Sequence, residues 1–177
     1  GAVTITGAGT VTVKVDQVAA SGFNAGSATA TLVIAKKTLT ITADNKSKTY
    51  NTANPTLTMS YSGFAYSDNS ASITSPTIAT TAVTASNAGT YAITLTGGSA
   101  ANYNLVLNNG SLTINKANPT LTYTGSTSGS VSTSIALTAT SNSTGTISYT
   151  VTNGTGTASV NGSNLDLSTV GTVTLNI

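Results

Sequence analysis

Few side chains in this sequence can do chemistry. General acid–base catalysis relies on a group that titrates near working pH, most often His, Glu, Asp or Cys. The 177 residues include four Asp and none of the other three, and they lack Arg and Trp as well. Asp16, Asp44, Asp68 and Asp166 stand at least 24 residues apart and form no DxD or calcium-loop spacing. Each lies beside turn residues, where a carboxylate ordinarily bonds its own backbone. They are therefore expected to shape turns, with a weak calcium site as the rival reading. Ser and Thr are plentiful, but no His activates them and no spacing marks a Ser–Lys dyad. A Lys–Asn crosslink assisted by a neighbouring acid has no Glu and no Asp pattern to support it. The chain is not expected to be an enzyme. No catalytic, cofactor-binding or metal-ligating residue is assigned, and no cofactor.

The aromatic residues come next. Tyr61, Tyr91, Tyr103 and Tyr123 lie in or beside alternating stretches and are expected in a core or on a sheet face. Tyr50 and Tyr66 lie in loop-rich segments and are the candidates for a sugar-binding face, though no Trp accompanies them. Asn-x-Ser/Thr triplets at Asn45, Asn109, Asn142, Asn153 and Asn161 are read as a consequence of composition.

Charge excludes other partners. Six Lys and four Asp give a net charge of +2, and charged residues make up only 6% of the chain. Lys36–Lys37 is the one basic pair. A nucleic-acid surface needs clustered cations with stacking aromatics, so none is expected. No apolar run approaches the ~18 residues of a membrane span. Without Cys there is no disulfide or thiol chemistry, and compartment cannot be read from Cys usage. The chain begins mid-pattern, so it is expected to be a window cut from a longer protein.

What must position these residues is a set of strands. In Asn87–Lys116, Tyr91, Ile93 and Leu95 alternate with Thr and Ala, and Leu112 and Ile114 alternate with Ser, Thr and Asn. A period of two with one apolar face predicts strands on a core. Subtracting 80 from Gly89, Tyr91, Ile93 and Leu95 gives Gly9, Val11, Val13 and Val15. The same shift takes Tyr103, Leu112 and Ile114 to Phe23, Leu32 and Ile34, while Gly171 lies 162 beyond Gly9. The pattern predicts an all-β chain of tandem immunoglobulin-like β-sandwiches, one complete module between two partial ones. Residues 1–35 are the C-terminal half of a module, 36–116 the complete one and 117–177 the N-terminal part of another.

Local expectations follow. VTIT at 3–6 and TVTVKV at 10–15 are read as strands joined by a tight turn at Gly7-Ala8-Gly9. VAAS is read as a helical turn, and Phe23 is placed in the core. TLTMS at 56–60 is a strand, and Pro76 marks an edge strand. VSTSIALTAT at 131–140 is one strand, and the Asn-Gly pairs at 153–154 and 161–162 are hairpin turns.

The run KTLTITADNKSKTYNTANPTLTMSYSG, followed by NAGTYAITLTG and ANYNLVLNNGSLTINKA, resembles the MBG ("mostly bacterial Ig-like") family over about residues 37–117. The flanks, with GTVTVKV and FNAGSATATLVIAKK, resemble a second bacterial Ig-like type. NAGTY is similar to the immunoglobulin tyrosine corner, with Asn87 in place of the acid and Ile93 where antibodies carry Cys. The resemblance implies a structural stalk repeat of a secreted or cell-surface bacterial adhesin-like protein, its partners being neighbouring repeats that associate head to tail. The alternatives are a subunit of a self-assembling extracellular filament and a carbohydrate-binding module with a glycan or host ligand.

Overall fold

The computed structural model describes residues 4–177. Among the described residues, strands account for nearly all regular structure, as Thr-rich alternating segments require, and a single 3₁₀ turn at Ser70–Ser72 is the exception. The chain divides into two units, Gly1–Ala117 and Asn118–Ile177.

The first unit opens with a two-stranded hairpin, β1 (Gly9–Gln17) and β2 (Gly26–Ile34), paired antiparallel along its whole length. Seven strands follow: β3 (Lys37–Ala43), β4 (Lys46–Thr49), β5 (Met59–Ser62), β6 (Thr77–Thr80), β7 (Gly89–Thr96), β8 (Tyr103–Asn108) and β9 (Gly110–Asn115). They form two sheets, ordered β5-β3-β8 and β4-β9-β7-β6. Leu39, Ile41, Ile93 and Leu112 are fully buried between them. The alternation read in β7 and β9 thus places its apolar face inward. β6 starts directly after Pro76 and pairs only with β7, which is the edge position a proline tolerates.

Two strands change sheets at the same level. β3 gives way to β4 across Asp44-Asn45, and β8 gives way to β9 across the single residue Asn109. β3 and β8 are parallel neighbours in one sheet, and β4 and β9 are parallel neighbours in the other. The crossing is tight at Gly110, where a Cβ would lie 2.4 Å from the Ala43 carbonyl oxygen. Asn45 holds it from one side, its Oδ1 accepting from the Ser111 amide at 2.8 Å and the Ser111 hydroxyl at 3.1 Å. Asn109 holds it from the other, its Oδ1 accepting from the Leu95 amide at 3.2 Å. The module therefore begins near Lys37 at one pole and ends near Asn115 at the opposite pole.

The second unit contains β10 (Leu121–Tyr123), β11 (Ser134–Ala136), β12 (Ala139–Ser141), β13 (Thr150–Asn153), β14 (Ala158–Asn161), β15 (Asn164–Leu167) and β16 (Val173–Asn176). They pair as β10-β12, β11-β15-β14 and β13-β16. Its core of Leu137, Ala158 and Leu165 is much smaller than that of the first unit.

Several local expectations are corrected. Val3 lies outside the described residues, and Thr4–Thr6 form no strand. The Ala8 amide instead donates to Asn102 Oδ1 at 3.0 Å, which ties this segment to the pole beside Lys37 rather than to a hairpin partner. VAAS forms no helical turn, because β1 runs on to Gln17 and Ala20 and Phe23 bond each other across Ser21-Gly22. Phe23 is 76% exposed, since among the described residues β1 and β2 form a two-stranded sheet with no buried core residue of their own. The strand read at 56–60 is shifted to β5. The run 131–140 breaks into β11 and β12, which belong to different sheets. At 161–162 the hairpin exists, but Asn161 pairs with Asn164 and the turn is Gly162-Ser163. Asn153-Gly154 makes no hairpin. Asn153 pairs with β16, and its Oδ1 accepts from the Ala158 amide as the chain passes to another sheet.

Candidate functional site

The polar side chains of the complete module collect at its two poles. At the exit pole, Lys48 of β4 is only 8% exposed. Alternation along β4 turns Lys48 inward, between the outward Ser47 and Thr49. An unpaired buried ammonium is costly, and no carboxylate neutralises this one. Three backbone carbonyls accept its protons: Val83 at 2.8 Å, Thr52 at 3.0 Å and Thr84 at 3.3 Å. An ammonium has three donors, so Lys48 is fully used. Asn54 ties the same loops, its Nδ2 donating to the Ala82 carbonyl at 2.6 Å. Sequence reasoning missed Lys48, because carbonyl partners, two of them 35 and 36 residues away, carry no side-chain signature.

At the entry pole, Tyr103 is buried at the start of β8 beside Phe64, whose ring it meets edge to face at 5.7 Å. The Tyr103 hydroxyl donates to Asp68 Oδ2 at 2.5 Å and accepts from the Ala65 amide at 3.0 Å. The bond to the Asp68 carboxylate, and then desolvation, raise the tyrosine's pKa above its ordinary value. Lys37 Nζ donates to the Phe64 carbonyl at 3.2 Å, and Lys36 Nζ to that of Ala100 at 3.0 Å. The first bond fixes the loop before Asp68 to β3, and the second fixes the link between β7 and β8 to the residue before β3. A small cleft of about 200 Å³ remains here between Ile34, Lys37, Tyr66 and Asn102.

The acids are placed differently from the turn reading. Asp16 pairs with Lys14 at 2.7 Å on the exposed face of β1. Asp44 accepts from the Thr58 hydroxyl at 2.5 Å, and Asp68 serves Tyr103. Asp166 lies within β15, opposite Ser134 and Ser159. Asp16, Asp44 and Asp68 thus bond side chains of other residues rather than their own backbone, the first from within a strand and the other two from links between elements. Among the described residues, no three acidic, His or Cys side chains gather as a metal site would need.

The tyrosines divide as their alternation suggests. Tyr61, Tyr91 and Tyr123 are half-buried against their cores, and Tyr103 is buried. The Tyr91 hydroxyl donates to the Asn87 carbonyl at 3.0 Å. The corner bond is thus made, to a main-chain acceptor that does not depend on the residue at 87. Tyr66 is 87% exposed, with a left-handed φ of 62° at Asn51 marking the other pole, where Tyr50 is 42% exposed. Tyr50 bonds Asn115 through its amide, while Tyr66 adjoins Tyr103. The two candidates sit at opposite poles and share no binding face. Of the five sequon asparagines, Asn45, Asn109, Asn142 and Asn153 use their side-chain oxygens to cap backbone amides.

Residues 39–113 match the family model of the MBG domain (YGX type). The central module is an MBG domain. It is thereby a repeat domain of the bacterial surface-protein kind. No curated protein matches the chain, and no solved structure does. Lys48 and Asn54 at the exit pole and Lys37, Tyr103 and Asp68 at the entry pole bond to the domain's own backbone or to one another, so their chemistry is the fastening of loops to strands.

Proposed function

We propose that the chain is a load-bearing stalk segment of a secreted or surface-anchored bacterial protein, holding other parts of that protein away from the cell. One observation carries this reading. The opening run β3–β4 and the closing run β8–β9 of the MBG domain lie side by side in parallel, β3 beside β8 and β4 beside β9, and the chain enters and leaves at opposite poles. Tension between the ends runs along these strands, so the β4–β9 and β3–β8 ladders are loaded in shear. All their hydrogen bonds then resist together, whereas a hairpin pulled at its two ends parts one bond at a time. Lys48 adds to this by clamping the loops at the exit pole. The partners of such a segment are neighbouring modules of the same kind, and its place is outside the cell.

Force spectroscopy tests the reading on the whole chain, held by its two ends. The MBG domain is expected to give an event at much higher force than the β1–β2 hairpin. Its release should lengthen the chain by roughly 240 Å, from an extended span of ~3.3–3.6 Å per residue. An MBG domain that yields at the force of the hairpin would overturn the proposal.

A further inference from the structure

We infer that Asn102 is a docking residue for the module that precedes the MBG domain, recognising a Gly-Ala loop and fixing the joint at Ala35-Lys36 in one geometry. A fixed joint is a matter of orientation and not of strength, so it stands whether or not the chain bears load. The register shows which part of the preceding module meets the entry pole. Gly9 lies opposite Ile34 in the hairpin, as Gly89 lies opposite Ile114 in the MBG domain. Subtracting 80 from the second pair gives the first. Gly7-Ala8-Gly9 is thus the counterpart of Asn87-Ala88-Gly89, which stands at the exit pole beside the end of β9. Burial agrees with this placement. Gly7, Ala8 and Ile34 are partly buried, whereas every other residue from 4 to 35 is exposed. All three line the same cleft as Lys37, Asn102 and Tyr103.

Asn102 holds both sides of the joint. Its carbonyl accepts from the Lys37 amide at 3.0 Å, and its Oδ1 accepts from the Ala8 amide at 3.0 Å. Only Ala35 and Lys36 separate β2 from β3, and the Lys36 ammonium is itself bonded to the Ala100 carbonyl at 3.0 Å. A link this short, tied at Lys36, cannot swing without breaking the bond to Ala8. The Ala8 amide precedes the first pair of the β1–β2 ladder, so its own sheet offers it no acceptor. A backbone amide taken out of water needs one, and Asn102 supplies it.

The first position of the loop sets which module fits. A Cβ on Gly7 would lie 3.0 Å from Asn102 Oδ1, which cannot retreat without lengthening the bond to Ala8. The Gly7 backbone has no positive φ, so glycine is needed there for space alone. The MBG domain's own exit loop has Asn87 at this position. A loop of that kind would press its Cβ against Asn102, with the strain of an overpacked contact. The entry pole therefore accepts a Gly-Ala-Gly loop and disfavours the Asn-Ala-Gly loop of its own module type.

The test uses the whole chain, which has no native Cys to compete with labelling. Nitroxides on Thr12→Cys in β1 and Thr77→Cys in β6, both exposed positions, report the spread of distances between hairpin and MBG domain by double electron–electron resonance. With Gly7 and Asn102 in place, a single narrow distribution is expected. Asn102→Ala should broaden it at least ~2-fold, because modules without a firm contact move independently. Gly7→Asn, which gives the loop the pattern of residues 87–89, should broaden it likewise. Asn102→Asp keeps an oxygen acceptor in place and should stay as narrow as the parent. Calorimetry should show the MBG transition in place in all three variants, since Lys37 bonds the Asn102 backbone and not its side chain. A parent distribution as broad as that of Asn102→Ala would overturn the inference. So would a Gly7→Asn chain that stays narrow, an Asn102→Asp chain that broadens, or loss of the MBG transition in Asn102→Ala.

Discussion

β7 and β1 have the same pattern and the same partner register, yet their side chains meet different surroundings. Ile93 in β7 is fully buried, whereas Val13, its counterpart in β1, is 43% exposed. Tyr103 is buried at 4%, and its counterpart Phe23 is exposed at 76%. Both strands pair antiparallel in the same register, β1 with β2 and β7 with β9, so this pairing does not account for the difference. The MBG domain has a second sheet, β5-β3-β8, against which β7 and β9 close. The hairpin has none among the described residues. Backbone pairing thus fixes which residues share a face, but only the opposing sheet removes that face from water, where most of the stabilisation arises. β16 lies between the two cases, with one partner and a half-covered face.

Truncating the equivalent residue in each setting should give a graded series, and this is the largest effect expected. Ile93→Ala should destabilise the MBG domain by ~2–5 kcal/mol, the range for removing a large aliphatic group from a closed core. Leu175→Ala, half-exposed at the cavity, should cost the second unit about 1 kcal/mol. Val13→Ala should leave both melting transitions in place. Calorimetry of the whole chain measures all three, and equal shifts for Ile93→Ala and Val13→Ala would refute the role given to the opposing sheet.

The next effect concerns the exit pole, which the hairpin lacks. Lys48→Met keeps the length of the buried stem but removes the donors from the Thr52, Val83 and Thr84 carbonyls. Bonds to a charged donor and carbonyls left without one make the expected cost ~2–3 kcal/mol. Chemical denaturation should show this as a lower midpoint at unchanged slope. A midpoint within error of the parent would mean that water replaces the ammonium without loss.

How far the sequence anticipated this arrangement depends on where each signal resides. The alternation of Tyr91, Ile93 and Leu95 was legible, because a strand with one buried face writes its period directly into the residues. Pro76 was legible too, since a missing amide confines it to an edge. Phe23 was misplaced because its repeat partner Tyr103 is buried by strands from elsewhere, which a local pattern does not contain. Lys48 was invisible: KSK reads as a solvated stretch, and its partners are carbonyls. The sheet crossing at Asn109-Gly110 reads locally as a turn, and only the neighbouring β3-to-β4 crossing shows why one residue suffices.

That crossing gives a third contrast. Gly110 and Ala30 are equivalent in register, but the former abuts the Ala43 carbonyl and the latter is exposed. Gly110→Ala should therefore cost the MBG domain ~1–3 kcal/mol, as overpacking does, although alanine is what β2 already has. Ala30→Gly should be nearly silent in the same melting experiment. A tolerated Gly110→Ala would mean that the β3-to-β4 link relaxes away from β9 without penalty.

The smallest effect separates Tyr103 from Phe23, and it appears only at high pH. The Asp68 carboxylate accepts the Tyr103 hydroxyl's proton in a hydrogen bond and raises its pKa above the ordinary 10.0. A raised pKa means that folding favours the neutral phenol. Its contribution is therefore fully present below the unfolded value near 10 and declines as pH rises from there through the folded value. Tyr103→Phe removes both the hydroxyl and its titration, leaving a ring like that of Phe23. The parent should be more stable than Tyr103→Phe at pH 8, and the gap should narrow steadily above pH ~10. All other ionisable groups are common to both proteins and drop out of the difference. Thermal melts of the two at matched pH and ionic strength measure it. A gap that stays constant from neutral to strongly alkaline pH would show that the bond to Asp68 is not what holds this hydroxyl protonated.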